Sequence, residues 1–256
     1  MNNNELIDFY ANTSPEELRL RPDSVQYIEF LTATRLLDRY LPPATTILDS
    51  CAGTGVYAFY LAEKGHLVTA GDLVIRNVTL LRAEEEKRRL LAEIFYGNAA
   101  NLPQFPDESF GSVLLMGALY HLHQPPERAA AVRESLRLLA PGGLFACTYM
   151  NRYAVILNDV AGDLDNLDEV LTFTQAGREG IFYASTPEET AALLAGFDLE
   201  IISHAALDGV ATLLRHKTNL LSAKGLERWQ EYHFTTCEVP SLLGYSYHNI
   251  ILARKR

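Results

Sequence analysis

The sequence predicts an α/β protein with a doubly wound, mostly parallel sheet of seven strands. Short apolar runs alternate with helical patterns from residue 45 to residue 150, and this alternation is typical of a parallel sheet covered by helices on both faces. The first apolar run, Ile47–Leu48, is followed by Asp49 and a glycine-containing turn. A turn of this kind after a buried strand marks the edge of the sheet at which ligands bind.

Each strand is predicted where an apolar run ends in a polar residue or a turn. The predicted strands are Ile47–Leu48, Leu67–Ala70, Ile94–Gly97, Gly111–Met116, Leu144–Tyr149, Asp198–Ile202 and Asn249–Ala253. Helices are expected before the first strand and between the others. The segment 151–185 is rich in Asn, Asp and Gly and is longer than a plain crossover, so it is interpreted as a cap over the carboxyl edge of the sheet.

Composition argues against several classes of protein. The net charge of −10 and the pI of about 5.2 do not suit a protein that binds the phosphates of nucleic acid. Three scattered cysteines, without a Cys-x-x-Cys pair, predict neither a disulfide framework nor a zinc site. No signal peptide and no apolar run of roughly 18 residues is seen, so we expect a cytoplasmic protein without a membrane partner. The oligomeric state is left open.

The stretch from Thr45 to Leu73 has the layout of a nucleotide-type site. Gly53 and Gly55 follow the first strand and have no Cβ to keep a ligand away from the backbone. After a short helix, the second strand finishes in Asp72. A carboxylate at that position is able to accept hydrogen bonds from both hydroxyls of a ribose.

The ligand is not predicted to be a dinucleotide. The run Gly53-Thr54-Gly55-Val56-Tyr57-Ala58 does fit the permissive dinucleotide fingerprint. However, Asp49 would repel a pyrophosphate, and the acidic and aromatic loop 102–110 has no place in that fingerprint. A ligand with a ribose, an adenine and a cationic head fits better than one with two phosphates. An NAD-dependent oxidoreductase stays as an alternative.

Five segments in order resemble the class I S-adenosylmethionine-dependent methyltransferases of the small-molecule type (methyltransferase domain 11/25-like). The resemblance is strong from Tyr40 to Tyr149. Its segments are Ile-Leu-Asp-Ser-Cys-Ala-Gly-Thr-Gly (47–55), Gly-His-Leu-Val-Thr-Ala-Gly-Asp-Leu (65–73), Gly-Asn-Ala (97–99), Leu-Pro-Gln-Phe-Pro-Asp-Glu-Ser-Phe (102–110) and Pro-Gly-Gly (141–143). The resemblance implies a Rossmann-like sheet and S-adenosyl-L-methionine as cofactor.

The resemblance also implies which residues bind that cofactor. The glycine turn would pack against the methionine part beside Met116, Asp72 would hold the ribose, and Leu73 with Asn98-Ala99 would line the adenine pocket. An N-terminal helix would fold over the cofactor, with an arginine on its carboxylate. The candidate cofactor-binding residues are therefore Tyr10, Arg19, Asp49, Cys51, Gly53, Gly55, Asp72, Leu73, Asn98, Ala99 and Met116. Two depart from the family pattern: Cys51 replaces a glycine and Asn98 replaces an aspartate.

Tyr120 and His121 are the candidate catalytic residues. They follow the fourth strand, where the acceptor should approach, and a histidine there is able to take the acceptor's proton. The alternative is that they pack a short helical turn. His121 and His123 have no third ligand nearby in sequence, so no metal is predicted. His248 precedes the last strand at the same edge, and its role as a site or structural residue is left open.

The predicted activity is methyl transfer by in-line displacement to a small-molecule acceptor. Residues 1–256 are expected to form a single methyltransferase domain: N-terminal helices (1–43), a cofactor-binding core (44–150), a cap insertion (151–185), and the C-terminal part of the sheet with acceptor-side helices (186–256). A non-catalytic, cofactor-binding relative is a second alternative. The sequence does not specify whether the acceptor atom is oxygen, nitrogen, carbon or sulfur, nor whether a general base takes part.

Overall fold

The computed structural model describes residues 3–12, 20, 27–162, 167–179 and 181–256. Its helices are α1 (Asn3–Asn12), α2 (Tyr27–Tyr40), α3 (Val56–Glu63), α4 (Ile75–Arg88), α5 (Pro125–Leu138), α6 (Arg152–Gly162), α7 (Leu167–Ala176), α8 (Pro187–Ala195), α9 (Arg215–Thr218) and α10 (Ala223–Thr236). Its strands are β1 (Thr46–Asp49), β2 (Leu67–Asp72), β3 (Glu93–Tyr96), β4 (Phe110–Leu115), β5 (Leu139–Asn151), β6 (Arg178–Glu179), β7 (Phe182–Ser185), β8 (Leu199–Ala206) and β9 (His248–Lys255).

The predicted doubly wound, mostly parallel sheet is confirmed. Five parallel strands lie in the order β3-β2-β1-β4-β5, and β9 then pairs antiparallel with both β5 and β8. All seven predicted strands are present, although β5 and β8 are longer than predicted. Within the described ranges the short strands β6 and β7 are additional. They form a hairpin inside the predicted cap, and β7 pairs with the last residues of β5.

The central strands are buried on both faces, which explains their nearly continuous apolar sequence. Neighbouring residues of one strand belong to different cores: Ile47 packs with the helices on one side of the sheet and Leu48 packs on the other. Leu114 and Leu115 divide in the same way. Two covered faces leave the carboxyl edge of the sheet as the place where polar side chains gather.

The sheet register brings distant segments to that edge. Asp49 and Asp72 are the last residues of β1 and β2. The end of β5 lies opposite the start of β9, with Met150 paired to His248. Because β9 runs antiparallel to β5, its first residue and the turn that follows β8 reach the same edge as the ends of the parallel strands.

In the described ranges, no helix is both long and apolar enough to cross a membrane. The longest helices have 14 residues, whereas a span needs about 20 apolar ones.

Candidate cofactor and acceptor site

A cavity opens at the carboxyl edge between β1, β2, β4 and helix α1. Most of the predicted site residues line it: Tyr10, Cys51, Gly53, Asp72, Leu73, Asn98, Ala99, Met116, Tyr120 and His121. Asp49 and Gly55 do not line the cavity, and the prediction for Arg19 lies outside the described residues.

The carboxylate of Asp72 ties together the two turns that form the cavity floor. Its Oδ2 accepts a hydrogen bond of 2.9 Å from the backbone N–H of Gly53. Its Oδ1 accepts from the backbone N–H of Val74 at 2.8 Å and from Asn77 Nδ2 at 3.2 Å. Asp72 lines the cavity, and each of its carboxylate oxygens has two acceptor positions.

The two glycines of the turn are required for different reasons. Gly53 has φ +56°, and among the described residues no atom lies within 4 Å of the position that a Cβ would take. Gly55 has φ +96°, and a Cβ there would collide with Leu81 and lie 2.8 Å from Phe59 Cε2. Gly53 therefore presents an open backbone to the cavity that it lines. Gly55 instead allows α3 to pack closely on α4, which the sequence-based reasoning did not foresee.

Asp49 lies beneath the turn, where its carboxyl group is fully buried. No residue that the structure describes hydrogen-bonds to its Oδ2. Burial, with the nearby charge of Asp72 as a second cause, raises the pKa of Asp49 to about 7. A cationic group in the cavity would oppose both effects and favour the carboxylate.

The two departures from the family pattern are accommodated locally. Cys51 is not among the residues with positive φ, so its Cβ causes no backbone strain, and burial raises the pKa of its thiol well above the usual range. Asn98 Oδ1 accepts a 2.9 Å hydrogen bond from the backbone N–H of Ala100. This bond fixes the turn, and Asn98 is one of the residues that line the cavity.

Aromatic rings form the opposite wall of the cavity. Tyr120 and His121 lie in a single 3₁₀ turn after β4, with ring centroids 4.7 Å apart. The Phe182 ring of β7 lies 5.3 Å from the His121 ring at an interplanar angle of 37°, and Phe9 of α1 contacts Phe182 edge-on at 5.5 Å. Segments separated by more than 100 residues thus meet in one aromatic cluster.

His121 links this cluster to α1. Its Nδ1 lies 3.1 Å from the carbonyl oxygen of Ile181, and its Nε2 lies 2.9 Å from Tyr10 Oη. Because a carbonyl oxygen only accepts, Nδ1 carries the hydrogen, and Nε2 accepts from the Tyr10 hydroxyl. Burial lowers the pKa of His121 to about 4, so the ring is neutral at physiological pH.

Two polar residues of the cavity were missed by the sequence reasoning. Asn77 lies in the first turn of α4, is buried, and donates to Asp72, while no described residue bonds its Oδ1. Tyr57 lies at the start of α3, two residues after Gly55. The signal that was available for both is their position in the first turn of the helices that follow β1 and β2.

In the described part of the chain, no group of three or more His, Cys, Asp or Glu side chains is placed to hold a metal ion. In that part of the chain, no third ligand accompanies His121 and His123 to complete a metal site.

A parallel sheet with an open glycine turn and a strand-end acid at its carboxyl edge defines a nucleotide-cofactor site of the Rossmann-like class. The family model "Methyltransferase domain" matches residues 48–147, which include this turn and acid. The "Ubiquinone biosynthesis O-methyltransferase" of Methylocella silvestris is 30% identical over 197 residues, 71% of this chain and 72% of that protein. The chain belongs to the S-adenosylmethionine-dependent methyltransferases, and the predicted family is confirmed.

A second group of relatives matches over a shorter stretch. The "Demethylmenaquinone methyltransferase" of Listeria welshimeri is 37% identical over 109 residues, 40% of this chain. The match spans 44% of the length of that protein.

Solved structures with low sequence identity share the fold. A SAM-dependent methyltransferase from Methanosarcina mazei is 21% identical with a TM-score of 0.60, covering 86% of this chain and 96% of its own. The magnesium protoporphyrin IX methyltransferase of Synechocystis, solved with bound SAH, is 13% identical with a TM-score of 0.58, covering 99% and 94%.

Proposed function

We propose that this chain transfers a methyl group from S-adenosyl-L-methionine to a small aromatic molecule that carries a hydroxyl group. The observation that carries the proposal is the division of one cavity into two walls. One wall holds Asp72 and the open turn at Gly53, and the other is the aromatic cluster around Tyr120. A nucleoside cofactor suits the first wall, and a planar acceptor suits the second.

The cofactor wall fits S-adenosyl-L-methionine in three respects. Asp72 places its carboxylate beside the open turn, where ribose hydroxyls would donate to it, and Asn98 lines the cavity next to Ala99, where the adenine edge would lie. Asp49 has a buried oxygen without a hydrogen bond from any described residue, beneath the turn where a cationic head would lie. Bound there, the cofactor would supply a methyl group already activated as a sulfonium, so the protein's main task is alignment of the acceptor.

The acceptor wall supports an aromatic substrate. The Tyr120 ring lines the cavity and offers a surface on which a planar molecule is able to stack, and the Phe182 ring lies 6.5 Å from it. Both groups of relatives carry names from quinone metabolism, a demethylmenaquinone and a ubiquinone-pathway methyltransferase. The net charge of −10 does not favour a nucleic-acid acceptor. A cytoplasmic location stays a prediction.

We propose different roles for Tyr120 and His121, because their contacts differ. Tyr120 lines the cavity and is placed to orient the acceptor. His121 has both ring nitrogens within hydrogen-bond distance of partners, Tyr10 and Ile181, and its pKa is lowered to about 4. These features favour a positioning role, in which His121 holds α1 over the cavity, above the predicted role as a general base.

Calorimetry with S-adenosylmethionine, S-adenosylhomocysteine and NAD tests the cofactor. We expect micromolar binding of the two sulfur compounds and none of NAD, because Asp49 disfavours a pyrophosphate. Tight NAD binding without a response to either sulfur compound would support an oxidoreductase and end the proposal.

Methyl transfer itself is measured by mass spectrometry on a panel of catechols, hydroquinones, amines and thiols. Methylation of a hydroxylated aromatic compound is the expected result. Binding of the cofactor without transfer to any compound would favour the non-catalytic relative, and transfer to an amine or thiol alone would overturn the acceptor class.

A further inference from the structure

A basic segment joins the turn after β8 to helix α10. We define the basic tip as residues 215–224, which contain Arg215, Lys217 and Lys224 and run from α9 through a turn into α10. The longer segment 209–226 holds three of the 22 Lys and Arg of the chain and none of its 32 Asp and Glu. The tip is therefore a cationic part of a protein whose net charge is −10.

Two adjacent leucines in the middle of the tip are exposed to solvent. The exposed fraction is 84% for Leu220 and 41% for Leu221, and Leu220 is the most exposed large hydrophobic residue that the structure describes. Single exposed leucines are ordinary at protein surfaces. Here, however, exposed cations lie on both sides of the pair in the sequence. The tip therefore combines an apolar centre with a basic border.

Local hydrogen bonds hold the leucines at the surface. The backbone N–H groups of Leu220 and Leu221 each donate at 3.1 Å to the carbonyl oxygen of the residue three positions earlier. Ser222 then caps α10 by accepting a hydrogen bond from a backbone N–H in its first turn. Farther along α10, the buried His233 has its Nε2 2.9 Å from Thr32 Oγ1 of α2, which joins the helix to the rest of the fold. The exposure of the leucines is thus a property of a folded turn.

The protein itself does not neutralise the cations of the tip. In the described chain, no carboxylate forms an ion pair with any of the three. The basic residues of α4 differ in this respect, because Lys87 and Arg88 both pair with Glu84, at 2.9 and 2.6 Å. An external anionic surface would have to compete with Glu84 for the cations of α4, whereas those of the tip are available to it.

We propose that the basic tip docks on the surface of an anionic lipid bilayer. Its cations would contact lipid phosphates, while Leu220 and Leu221 would enter the boundary between headgroups and acyl chains. Lys and Arg suit this position, because their long stems pack on apolar groups while their charged ends reach the phosphates. This interaction goes beyond the proposed methyl transfer and does not depend on it.

Nucleic acid is the competing partner, because it presents the same phosphate chemistry. The acidic remainder of the chain repels both polyanions, so the cations alone do not separate them. The leucines do, since a bilayer offers an apolar layer beneath its phosphates and the outer surface of a duplex does not. Burial of Leu220 and Leu221 therefore favours the lipid surface.

This proposal revises the expectation that the protein has no membrane partner. That expectation rested on the lack of an apolar run long enough to span a bilayer. Binding at a surface needs only a short segment with apolar and basic side chains. The tip has this form, with a four-residue helix, a turn and the first residues of α10.

Sedimentation of the full chain with vesicles tests the charged part of the tip. Vesicles of pure phosphatidylcholine are compared with vesicles that also contain phosphatidylglycerol, which is anionic. We expect binding to the anionic vesicles only, and binding should weaken as salt is added because the charges are exposed. Combining Arg215→Gln, Lys217→Gln and Lys224→Gln should weaken binding about a hundredfold, since each cation at an anionic surface contributes about fivefold.

The matched control removes three exposed cations from other places, the helices α4 and α5. It combines Arg82→Gln, Lys87→Gln and Arg133→Gln, and so changes the net charge by the same amount. This control should bind the anionic vesicles within about threefold of the unsubstituted protein, because screening limits the effect of distant charges. All six positions are exposed, so both variants should keep the thermal midpoint measured by circular dichroism. Equal losses of vesicle binding in the two variants would overturn the tip as the docking site.

Fluorescence measures whether the leucines enter the bilayer. The chain has a single tryptophan, so Trp229→Phe gives a background without an indole signal. In this background, Leu220→Trp should be quenched by brominated lipids in anionic vesicles. Leu67→Trp is the control, because Leu67 is the first residue of β2 and is also exposed, at 56%, but lies outside the tip. It should not be quenched.

The outcomes separate the lipid surface from its rivals. Quenching at position 220 alone, together with the selective loss in the tip variant, would support the proposal. Vesicle binding without quenching at position 220, or with equal quenching at position 67, would overturn insertion by the tip. Binding to a duplex oligonucleotide in place of anionic vesicles would overturn the bilayer as partner, as would binding to neither. Cofactor binding is measured separately by calorimetry, so none of these results decides the proposed function.

Discussion

The two walls of the cavity are built in opposite ways. On the cofactor wall, Asp72 bonds to the backbone of Gly53 and Val74, so the contacts join turns that lie within 20 residues of one another. On the acceptor wall, the bond between Tyr10 and His121 spans 111 residues, and His121 bonds to Ile181 across 60. The first wall is specified by short motifs, whereas the second depends on how remote segments pack.

Removal of a single charged side chain should weaken ligand binding most on the cofactor wall. Asp72→Ala removes the acceptor for two ribose hydroxyls, and each hydrogen bond to a charged group contributes about 1.5–3 kcal/mol. We expect S-adenosylhomocysteine to bind about a hundredfold more weakly or worse, as measured by calorimetry. The apoprotein should also lose stability, because Asp72 accepts two backbone hydrogen bonds.

Asp72→Asn is the matched variant, since it keeps one oxygen acceptor of the same shape. A loss clearly smaller than that of Asp72→Ala is expected. If Asp72→Ala bound the cofactor product normally, the cofactor wall would be misassigned and the comparison would fail.

The acceptor wall should be the part that acid destabilises, because the raised pKa of Asp49 beneath the other wall acts with the opposite sign. His121 has a folded-state pKa of about 4 against an ordinary value near 6.5. A lowered histidine pKa means that the unfolded chain binds the proton more readily, so the stability contributed is present above about pH 6.5 and is lost as the pH falls toward 4. The expected loss at pH 4 is on the order of 2–3 kcal/mol.

Chemical denaturation from pH 7 to pH 4 measures this loss, and His121→Asn should reduce it. His204, whose pKa is also lowered to about 4, contributes with the same sign, so His204→Asn gives the reference slope. An unchanged pH dependence in His121→Asn would show that its burial does not persist in solution.

A smaller change should loosen α1 without touching the cofactor wall. Tyr10→Phe removes one hydrogen bond to His121 and preserves the ring contact at 5.4 Å. A neutral hydrogen bond contributes about 0.5–1.5 kcal/mol, so the exchange of amide hydrogens in α1 should accelerate by about two- to tenfold. Protection in α3 should stay the same, and equal acceleration in both helices would contradict the separation of the two walls.

The smallest effect is expected at Asn98, where the family pattern has an acid. Asn98→Asp keeps an oxygen for the N–H of Ala100 and adds a charged acceptor toward the adenine amino group. We expect S-adenosylhomocysteine to bind about two- to fivefold more tightly, because a charged acceptor strengthens a hydrogen bond by roughly 1 kcal/mol. Weaker binding would place Asn98 away from the adenine amino group.

The difference between the two walls, one specified by local motifs and one by remote contacts, explains which features could be predicted from the sequence. Strands β1 to β5 and the turn at Gly53 followed from local apolar patterns and glycine positions, because the central strands are buried on both faces. The hairpin of β6 and β7 was missed, since its two short strands have no pattern of their own and pair only through the end of β5.

Long-range partners were beyond local reasoning as well. His121 and His248 looked alike in the sequence, one after a strand and one before a strand. Their environments differ through Tyr10 in one case and Asp208 in the other, each supplied from more than 35 residues away. Gly55 also fitted a binding motif, but its positive φ and its close contact with Leu81 of α4 show that packing requires a glycine there.

The position of β9 has a consequence for the order of assembly. In the described chain β8 pairs with β9 alone, and β9 lies between β8 and β5. Although β8 is synthesised first, it has no place in the sheet until β9 has paired with β5. Contacts over such sequence distances form slowly, because the intervening loop must close first. We therefore expect the junction of Asp208 with His248 to form late in folding, after the parallel strands are in place.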